Sequence, residues 1–254
     1  MEPILKVENL TKVFRRPGQS DFTAVDHVSF EIAPGECLGL IGESGSGKTT
    51  VVNMITRLLD ASEGRIILDG EDITKLSGKK LRRAFQKMQM VFQSPADSFD
   101  PRRTLGDGIG ESLRNLGRPL RETRAETASL LELCGLDASF AECYPHQVSG
   151  GQCQRAAIAR ALAVGPKLLI CDEATSALDV TVQKEILALL NELRNRRGQD
   201  LSILFICHDI ALVQQFCSRV VVLHGGKVTE QGSPDEIIRN PKDASTIRLI
   251  DSIL

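Results

Sequence analysis

The sequence predicts an α/β fold in which a parallel sheet is interrupted by a helical segment and resumes after it. Short apolar runs typical of buried strands occur on both sides of that segment, at 37–41, 88–92, 167–171, 202–207 and 219–223. Residues 94–166 instead contain helical patterns, among them 121–134 and 151–164. Near the N-terminus, apolar and polar residues alternate at 28–32, which together with 4–10 predicts antiparallel strands with one buried face.

Local signals predict the elements between these runs. The helix after 37–41 is predicted to continue to Leu59. Its buried face is predicted to contain Val51, Val52, Ile55, Leu58 and Leu59. Turns are predicted at Glu63–Gly64, Asp69–Gly70 and Gly225–Gly226. A later amphipathic helix is predicted to bury Val182, Ile186, Leu190 and Leu193.

The composition is that of an ordinary soluble globular protein and excludes several classes of function. The formal net charge of -2 and an aromatic content of 4% argue against a nucleic-acid-binding surface. No apolar stretch approaches the ~20 residues of a membrane-spanning helix, and the N-terminus has no signal-peptide pattern. The 7 cysteines form no C-x-x-C pair, and Cys37, Cys171 and Cys207 lie in apolar strand runs, which predicts a reduced, cytosolic protein.

A glycine-rich octapeptide, Gly42-Glu-Ser-Gly-Ser-Gly-Lys-Thr49, lies between the first apolar run and its helix. It matches the phosphate-binding pattern G-x-x-x-x-G-K-[ST] at every fixed position, in the strand–loop–helix context that the pattern requires. Glycines let the backbone wrap a polyphosphate with its N–H groups inward, and the helix N-terminus adds a partial positive charge. The pattern places Lys48 at the outer phosphates and the Thr49 hydroxyl at Mg²⁺. It predicts a site for ATP or GTP, with the binding residues Gly42, Ser44, Gly45, Ser46, Gly47, Lys48, Thr49 and Thr50.

Two carboxylates, Asp172 and Glu173, follow the apolar run 168–171. In open α/β sheets ligands bind at the carboxyl ends of the strands, where the phosphate-binding loop also lies. We therefore expect Asp172 to hold Mg²⁺, mostly through water. Glu173, one residue further, is expected to orient or deprotonate a water that attacks the γ-phosphate. Without the loop, the same pair would be interpreted as solvated carboxylates at a strand end.

A second glycine motif, Ser149-Gly150-Gly151-Gln152, precedes the helical run 156–164. Ser149 is a suitable N-cap, and the glycines permit close backbone approach, so the motif can form a second anion site. One ATP needs only one phosphate-binding loop. The motif therefore favours two subunits packed head to tail, each offering it to the nucleotide of the other. Seen in isolation, these four residues are better explained as an ordinary helix cap.

Taken in order, these motifs resemble the nucleotide-binding subunit of ATP-binding cassette (ABC) transporters, essentially from end to end. The stretch 148–152 is similar to the signature motif of that family, with Val148 in place of its Leu. The resemblance implies that Gln93 is the Q-loop glutamine, which contacts Mg²⁺ and the attacking water. It also implies that His208 is the switch histidine at the γ-phosphate. The implied catalytic residues are thus Glu173, His208, Lys48 and Gln93, and the implied metal-binding residues are Thr49, Gln93 and Asp172.

Three further positions resemble or differ from the pattern of the same family. The stretch 176–179, ending in Asp179, resembles the D-loop at the dimer interface, and Phe14 resembles the aromatic residue that stacks on adenine. Phe14 differs from the commoner Tyr, and Ala174 from the proline that often follows the catalytic Glu. Seen alone, His208 would be a capping or surface residue, Gln93 a loop amide, Phe14 a core residue and Asp179 an N-cap.

The resemblance implies a P-loop NTPase core with an N-terminal antiparallel β subdomain and an inserted α-helical subdomain. Residues 1–92 are predicted to form the first part of the ATP-binding core, with the phosphate-binding loop. Residues 93–166 are predicted to form the helical subdomain, with the Q-loop and the signature motif. Residues 167–254 are predicted to complete the core with the carboxylate pair, the D-loop and the switch histidine.

The implied function is ATP hydrolysis that energises an importer, with ATP and Mg²⁺ as cofactors. The subunit is expected at the cytoplasmic face of the cell membrane. Its expected partners are permease subunits, a second ATPase subunit and, indirectly, a solute-binding protein, but no nucleic acid. The stretches 93–104 and 177–183 are similar to the dipeptide, oligopeptide and nickel importer group, which predicts peptides or nickel complexes as cargo. Residues 94–110, with Phe99, Arg102 and Arg103, are expected to line a groove for a short helix of the membrane subunit.

Two other functions fit the sequence less well than this one. A soluble cassette ATPase of DNA repair or translation usually has a long coiled coil or two cassettes, and this sequence has neither. A non-hydrolysing regulator is disfavoured because Glu173 and His208 are both present.

Overall fold

The computed structural model describes residues 2–15, 17–18, 20–174 and 179–251. Its strands are β1 (Leu5–Phe14), β2 (Phe22–Ile32), β3 (Cys37–Ile41), β4 (Glu63–Leu68), β5 (Glu71–Asp72), β6 (Met88–Val91), β7 (Leu168–Asp172), β8 (Ser202–Ile206), β9 (Arg219–His224) and β10 (Lys227–Gly232). Its α-helices are α1 (Lys48–Ile55), α2 (Gly78–Lys87), α3 (Leu105–Asn115), α4 (Leu120–Leu133), α5 (Gly150–Leu162), α6 (Val180–Arg197), α7 (Ile210–Phe216), α8 (Pro234–Arg239) and α9 (Ala244–Asp251).

These strands form two sheets. A four-stranded antiparallel sheet has the order β2-β1-β4-β5. A six-stranded sheet has the order β10-β9-β3-β8-β7-β6, in which β10 alone is antiparallel to its neighbour. The predicted α/β fold, with an antiparallel part at the N-terminus, is therefore confirmed.

The six-stranded sheet is the middle layer of the molecule. On the central strand β8, Ile203 and Phe205 pack into one core together with residues of α5, α6 and α7. Leu204 and Ile206 pack into a second core together with α1 and the antiparallel sheet. Because successive side chains of a strand point to opposite faces, both faces of the sheet are covered, which explains why the inner strands β3, β7 and β8 are almost continuously apolar.

Helices α3, α4 and α5 pack against one another and contribute Ile109, Leu131 and Ala156 to the first core. They lie in the segment that the sequence predicts to be helical. The subdomain boundaries at residues 93 and 167 stay predictions.

Two predicted turns are confirmed as tight hairpin connections. Leu68 pairs with Glu71 across Asp69–Gly70, and His224 pairs with Lys227 across Gly225–Gly226. The two residues of each turn have positive φ, 50° and 77° in the first and 54° and 79° in the second. Positive φ at both central residues is the requirement of a type I′ turn, which Asp-Gly and Gly-Gly meet readily.

The prediction that α1 continues to Leu59 is wrong, because the helix ends at Ile55. Arg57 has a φ of 56°, in the left-handed region, which cannot continue a right-handed helix. Leu58 is consequently 64% exposed instead of lying on the buried face. Val51, Val52 and Ile55 are fully buried as predicted.

The predicted turn at Glu63–Gly64 is also wrong, since both residues belong to β4. A Cβ atom at Gly64 would lie 2.5 Å from the carbonyl oxygen of Asn9 on β1, beside a register irregularity between Glu8 and Thr11. The glycine therefore allows two strands to approach closely at a bulge. The neighbouring strands β1 and β2 are longer than predicted, and α2 was not predicted at all.

The burial of Phe205 predicts a large loss of stability on truncation. Its ring is fully buried at the centre of the sheet and meets Phe216 of α7 edge to face, with ring centroids 5.2 Å apart. We expect Phe205→Ala to lower the free energy of unfolding by about 3–5 kcal/mol in urea denaturation. The control Phe22→Ala, at a ring that is 47% exposed, should cost about 1 kcal/mol or less. Equal losses in the two variants would contradict the described core.

Candidate functional site

Several of the predicted site residues follow four adjacent parallel strands. In the register of the sheet, Leu40 of β3 lies opposite Ile206 of β8, and Ile206 lies opposite Asp172 of β7. Cys171 of β7 in turn lies opposite Val91 of β6. The carboxyl ends of these strands therefore meet at one edge of the sheet. The segments that leave this edge are the phosphate-binding loop, the stretch to His208, the carboxylate pair and the stretch to Gln93.

The phosphate-binding loop has a conformation that depends on its glycines. Gly42, Gly45 and Gly47 have φ values of 155°, 79° and 106°, which L side chains rarely adopt. A Cβ atom at Gly42 would lie 2.2 Å from the carbonyl oxygen of Leu223, and one at Gly47 would lie 2.9 Å from that of Ala24. The loop is thus held closely between β9 and β2.

Lys48 is buried under this loop. Its Nζ donates hydrogen bonds to the carbonyl oxygens of Gly42 at 2.7 Å and Glu43 at 2.9 Å. Burial lowers the pKa of the Lys48 ammonium, and the carboxylates of Glu173 and Asp172 oppose that shift. A buried cation is stabilised by a nearby anion, so the position suits a phosphate group.

Ser46 provides a second sign that the loop fits phosphate. Its side chain is 4% exposed, and its Oγ has no hydrogen-bond partner within the described residues. Buried hydroxyl groups are normally hydrogen-bonded, and a polyphosphate cradled by the loop would supply acceptor oxygens. Thr49 and Thr50 follow at the N-terminus of α1, where Thr49 is exposed and Thr50 half-buried.

Asp172 and Glu173 lie at the end of β7, and both are half-buried. Burial raises the pKa of the Asp172 carboxyl, the Glu173 carboxylate adds to the rise, and the Lys48 ammonium opposes it. Glu173 has a φ of 47° and donates its backbone N–H to the carbonyl oxygen of Ile206 at 3.1 Å. A positive φ at a residue other than glycine is a strained conformation, and such strain clusters at active sites.

Ser149 begins α5 as its N-cap, as predicted. Its Oγ accepts a hydrogen bond from the Gln152 N–H at 3.3 Å, while the Gln152 Oε1 accepts one from the Ser149 N–H at 2.8 Å. This reciprocal pair is a capping box, and Ser149 and Gly150 are both exposed. A Cβ atom at Gly151 would lie 2.6 Å from Cγ1 of Val182, so this glycine permits the contact between α5 and α6.

The remaining predicted residues lie at the ends of helices and strands. Asp179 is the N-cap of α6, accepting hydrogen bonds from the backbone N–H groups of Thr181 and Val182 at 3.1 and 3.0 Å. The preceding D-loop positions, 176–178, lie outside the described residues. His208 and Gln93 are exposed, one between β8 and α7 and the other just after β6.

Phe14 ends β1 with its ring 37% exposed and the Lys12 Nζ 5.3 Å from the ring centroid. It pairs across the strands with Phe22, whose ring is 47% exposed. Sequence reasoning missed Phe22 because a pair of exposed rings becomes visible only with the β1–β2 register.

The expectation that Phe99 lines an exposed groove is wrong. Its side chain is only 6% exposed, under the guanidinium of Arg160, whose Cζ is 5.6 Å from the ring centroid. A Cβ atom at Gly108 would lie 2.6 Å from the Phe99 ring, so the ring is also held against α3. A cleft of about 250 Å³ does lie nearby. It is lined by Leu58, Phe85, Met88, Met90, Phe92 and Ala157, among others.

Among the described residues, no group of three or more His, Cys, Asp or Glu side chains is arranged to hold a metal ion. In the same residues, no helix has the length and apolar character of a membrane span.

The loop and the sheet edge define the class of protein, a P-loop nucleoside triphosphatase. Comparison with known families narrows this class, because the family described as "ABC transporter" matches residues 25–176. The chain belongs to that family and is an ATPase that binds ATP.

The chain is similar to several import proteins over nearly its whole length. The oligopeptide transport ATP-binding protein OppF of Bacillus subtilis (strain 168) is 42% identical over 255 residues, covering 99% of this chain and 83% of that protein. OppF of Streptococcus mutans is 40% identical over 252 residues, covering 98% and 81%. The glutathione import ATP-binding protein GsiA of Shigella flexneri is 43% identical over 261 residues. The match covers 99% of this chain but 41% of GsiA, so the chain spans less than half of that protein.

Solved structures of cassettes have the same fold. The ATP-binding cassette MJ0796, a dimer in a post-hydrolysis state bound to ADP and Pi, has a TM-score of 0.81 at 31% identity, covering 91% of this chain and 98% of that one. The structure of cbiO1 from Clostridium perfringens, part of the transporter complex cbiONQ, has a TM-score of 0.83 at 29% identity, covering 100% and 96%.

The raised pKa of Asp172 predicts how its neutralisation changes stability. A carboxyl whose pKa is higher in the folded state binds more protons there, so stability falls as pH rises through the interval above its ordinary pKa. In buffer without nucleotide or divalent metal, we expect Asp172→Asn to be more stable than the parent at pH 7. The difference should shrink as the pH falls towards the ordinary pKa of an aspartate and should be absent below it, in urea denaturation at several pH values.

Asp137→Asn is the matched control for that measurement. Hydrogen bonds from Ser139 lower the pKa of the Asp137 carboxyl, so its stabilising contribution is present at neutral pH and is lost in acid. This variant should therefore be less stable than the parent at pH 7. An Asp172→Asn variant that loses stability at pH 7 would contradict the described burial of that carboxyl.

Proposed function

We propose that the chain is the ATP-hydrolysing subunit of a peptide importer, acting at the cytoplasmic face of a membrane. The observation that carries this proposal is the meeting of the phosphate-binding loop, the carboxylate pair and His208 at one sheet edge, in a chain whose relatives are named for oligopeptide transport and glutathione import. Nickel complexes as cargo stay a sequence prediction. A soluble cassette ATPase outside transport is not favoured by these relatives.

In the proposed mechanism the loop amides, Ser46 and Lys48 bind the phosphates of ATP, and Thr50 belongs to the same cradle. Ser44 and the three loop glycines shape it. Thr49, Asp172 and Gln93 would hold Mg²⁺, which supplies charge neutralisation to the phosphates when bound. A site with one carboxylate, that of Asp172, suits Mg²⁺, because this ion is commonly held by one or two carboxylates together with substrate phosphates.

Glu173 is proposed to orient the attacking water and to accept its proton at the carboxylate. His208 and Gln93 would contact the γ-phosphate and the water, and Phe14 would stack on the adenine ring. Because phosphoryl transfer needs mainly positioning and electrostatic stabilisation, residues at four strand ends can complete it without covalent participation.

The site is proposed to be completed by a second cassette, either another copy or a homologous subunit. Ser149, Gly150, Gly151 and Gln152 would contact the nucleotide on the partner's loop, and Asp179 would lie at the same interface. Support comes from the exposure of Ser149 and Gly150 at the N-terminus of α5 and from the dimeric state of the similar cassette MJ0796.

Permease subunits are the proposed membrane partners, with a solute-binding protein acting indirectly. Co-purification of the tagged chain from its native membrane, followed by mass spectrometry, tests this directly. Recovery of permease subunits is expected. Recovery of the chain only from the soluble fraction, without permeases, would contradict the proposal.

The role of Glu173 predicts the behaviour of Glu173→Gln. The amide keeps the size and polarity of the side chain but cannot accept the proton, so we expect ATP hydrolysis to fall by about 10²–10⁴-fold. ATP binding should persist and trap a closed dimer, measured by phosphate release and by size-exclusion chromatography with ATP. Glu185→Gln, at an exposed side chain of α6, is a control that should keep turnover near the parent value. Substantial residual hydrolysis in Glu173→Gln would remove Glu173 from the central role.

Substitution of the exposed pair Arg102 and Arg103 tests whether the segment after the Q-loop contacts the membrane subunit. Both side chains are exposed, and the nearest acidic partner is Glu111, 3.8 Å from Arg103. We expect Arg102→Glu with Arg103→Glu to reduce peptide uptake at least about tenfold while ATP hydrolysis by the isolated subunit is retained, because electrostatic mismatch at an interface costs several kcal/mol. Unchanged uptake in reconstituted vesicles would contradict a contact between this segment and the membrane subunit.

A further inference from the structure

Two cysteines that are far apart in the sequence meet in the first core of the molecule. The Sγ atoms of Cys37 and Cys217 are 3.4 Å apart, although 180 residues separate the two in the chain. Cys37 has no exposed surface, and Cys217 is 7% exposed. All 7 cysteines of the chain are free in this structure.

The backbone holds the segments of these two cysteines side by side. Leu38 of β3 pairs with Arg219 of β9, so the residues that directly precede them are neighbours as well. Ser218 donates its backbone N–H to the carbonyl oxygen of Cys37 at 3.0 Å, and its Oγ donates to the same oxygen at 3.2 Å. The proximity of the thiols therefore follows from the pairing of the sheet.

Helix α7 adds a close contact with β3 at the same place. Cys217 follows the last residue of this helix, and its N–H donates to the carbonyl oxygen of Val213 at 2.8 Å. A Cβ atom at Gly39 of β3 would lie 2.7 Å from Cγ1 of Val213 and 3.4 Å from Sγ of Cys217. The missing side chain at Gly39 thus lets the end of α7 lie directly on the strand.

We propose that Cys37 and Cys217 are a site of disulfide formation by hydroperoxides, and that the disulfide stabilises the fold. The S–S bond of a disulfide is about 2.05 Å long, so the two sulfur atoms need to approach by about 1.4 Å. The inference is independent of the proposed function. It concerns thiols at the start of β3, whereas the phosphate-binding loop follows the other end of that strand.

The reaction needs one hydroperoxide, here hydrogen peroxide, and proceeds in two steps. The sulfur of Cys217, the less buried of the two, attacks the peroxide, whose O–O bond breaks to give a sulfenic acid and one water. The sulfur of Cys37 then attacks the sulfenic sulfur, the S–O bond breaks, and the hydroxyl group leaves as a second water with the proton of Cys37. Two thiols lose two electrons in total, and the peroxide is reduced to two waters.

Burial makes this reaction slow and its product durable. The hydrogen bond with Cys37 and burial both raise the pKa of the Cys217 thiol, so little of the reactive thiolate is present. The same burial keeps bulky thiol reductants away from the disulfide once it has formed. We therefore expect the oxidised form to accumulate during sustained exposure to peroxide.

The cross-link is expected to stabilise the folded chain because it would close a loop of 180 residues. A disulfide restricts the unfolded chain, and the entropic effect grows with the length of the loop. It would also tie α7, the helix that follows His208, to the strand that leads to the phosphate-binding loop. The Tm of the oxidised protein should exceed that of the reduced protein by at least about 5 °C.

Peptide mapping of the oxidised protein tests this inference. The full chain is incubated with hydrogen peroxide for several hours, its remaining thiols are alkylated, and its peptides are analysed by mass spectrometry without reduction. We expect a cross-linked peptide that joins Cys37 to Cys217. The Tm is measured on the same samples before and after oxidation.

Single substitutions identify the source of the rise in Tm. Cys37→Ala should abolish both the cross-linked peptide and the rise. Cys217→Ser, a nearly isosteric change at the less buried position, should do the same and serves if Cys37→Ala does not fold. Cys153→Ala is the matched control, because Cys153 lies in the same core and is 2% exposed. This control should keep both the cross-linked peptide and the rise.

The contrary outcomes are equally distinct. Oxidation of other cysteines without a peptide that joins Cys37 to Cys217 overturns the inference. A cross-linked protein with an unchanged Tm overturns the stabilising role. An equal loss of the rise in Cys153→Ala shows that the pair is not its source and overturns the inference as well. None of these results affects the proposed function, which co-purification with permeases tests separately.

Discussion

The nucleotide site depends on the interactions that stabilise the buried ammonium of Lys48. Its hydrogen bonds to the carbonyl oxygens of Gly42 and Glu43 keep the loop closed around it. Removing a cation from water is expensive, and here the carboxylates of Asp172 and Glu173 offset part of that penalty. The site is therefore electrostatically prepared for a triphosphate. The negative charge of the phosphates would offset the rest of the penalty for burying the Lys48 ammonium.

The parallel register converts sequence-distant segments into one site. Leu40, Ile206 and Asp172 lie side by side although they are far apart in the chain, because β8 inserts between β3 and β7. The antiparallel sheet also shapes the site from outside the six-stranded sheet, since the carbonyl oxygen of Ala24 on β2 lies close to Gly47. Each functional segment needs to be only a few residues long, and the rigid sheet rather than the loops determines how the groups face one another.

Predictions from the sequence succeeded where a local pattern determines the structure. The buried strands, the hairpin turn at Gly225–Gly226 and the Ser149 cap depend on residues that are close in the chain. Predictions failed where a distant element decides: Gly64 is a bulge because β1 approaches it, and Phe99 is buried because Arg160 covers it. Helix α2 is a different case, because Leu81, Ala84 and Phe85 do show the three- and four-residue spacing of a buried helix face, a local signal that the prediction did not use.

The two interpretations of Ser149, helix cap and anion ligand, are compatible in this structure. Its Oγ accepts the N–H of Gln152 as a cap, and a serine hydroxyl also carries a hydrogen that can be donated elsewhere. The cap therefore fixes the side chain at the exposed start of α5 without using its donor. A phosphate from another subunit could accept that hydrogen while the capping box stays intact, so the proposed contact with a partner's nucleotide would require no rearrangement of α5.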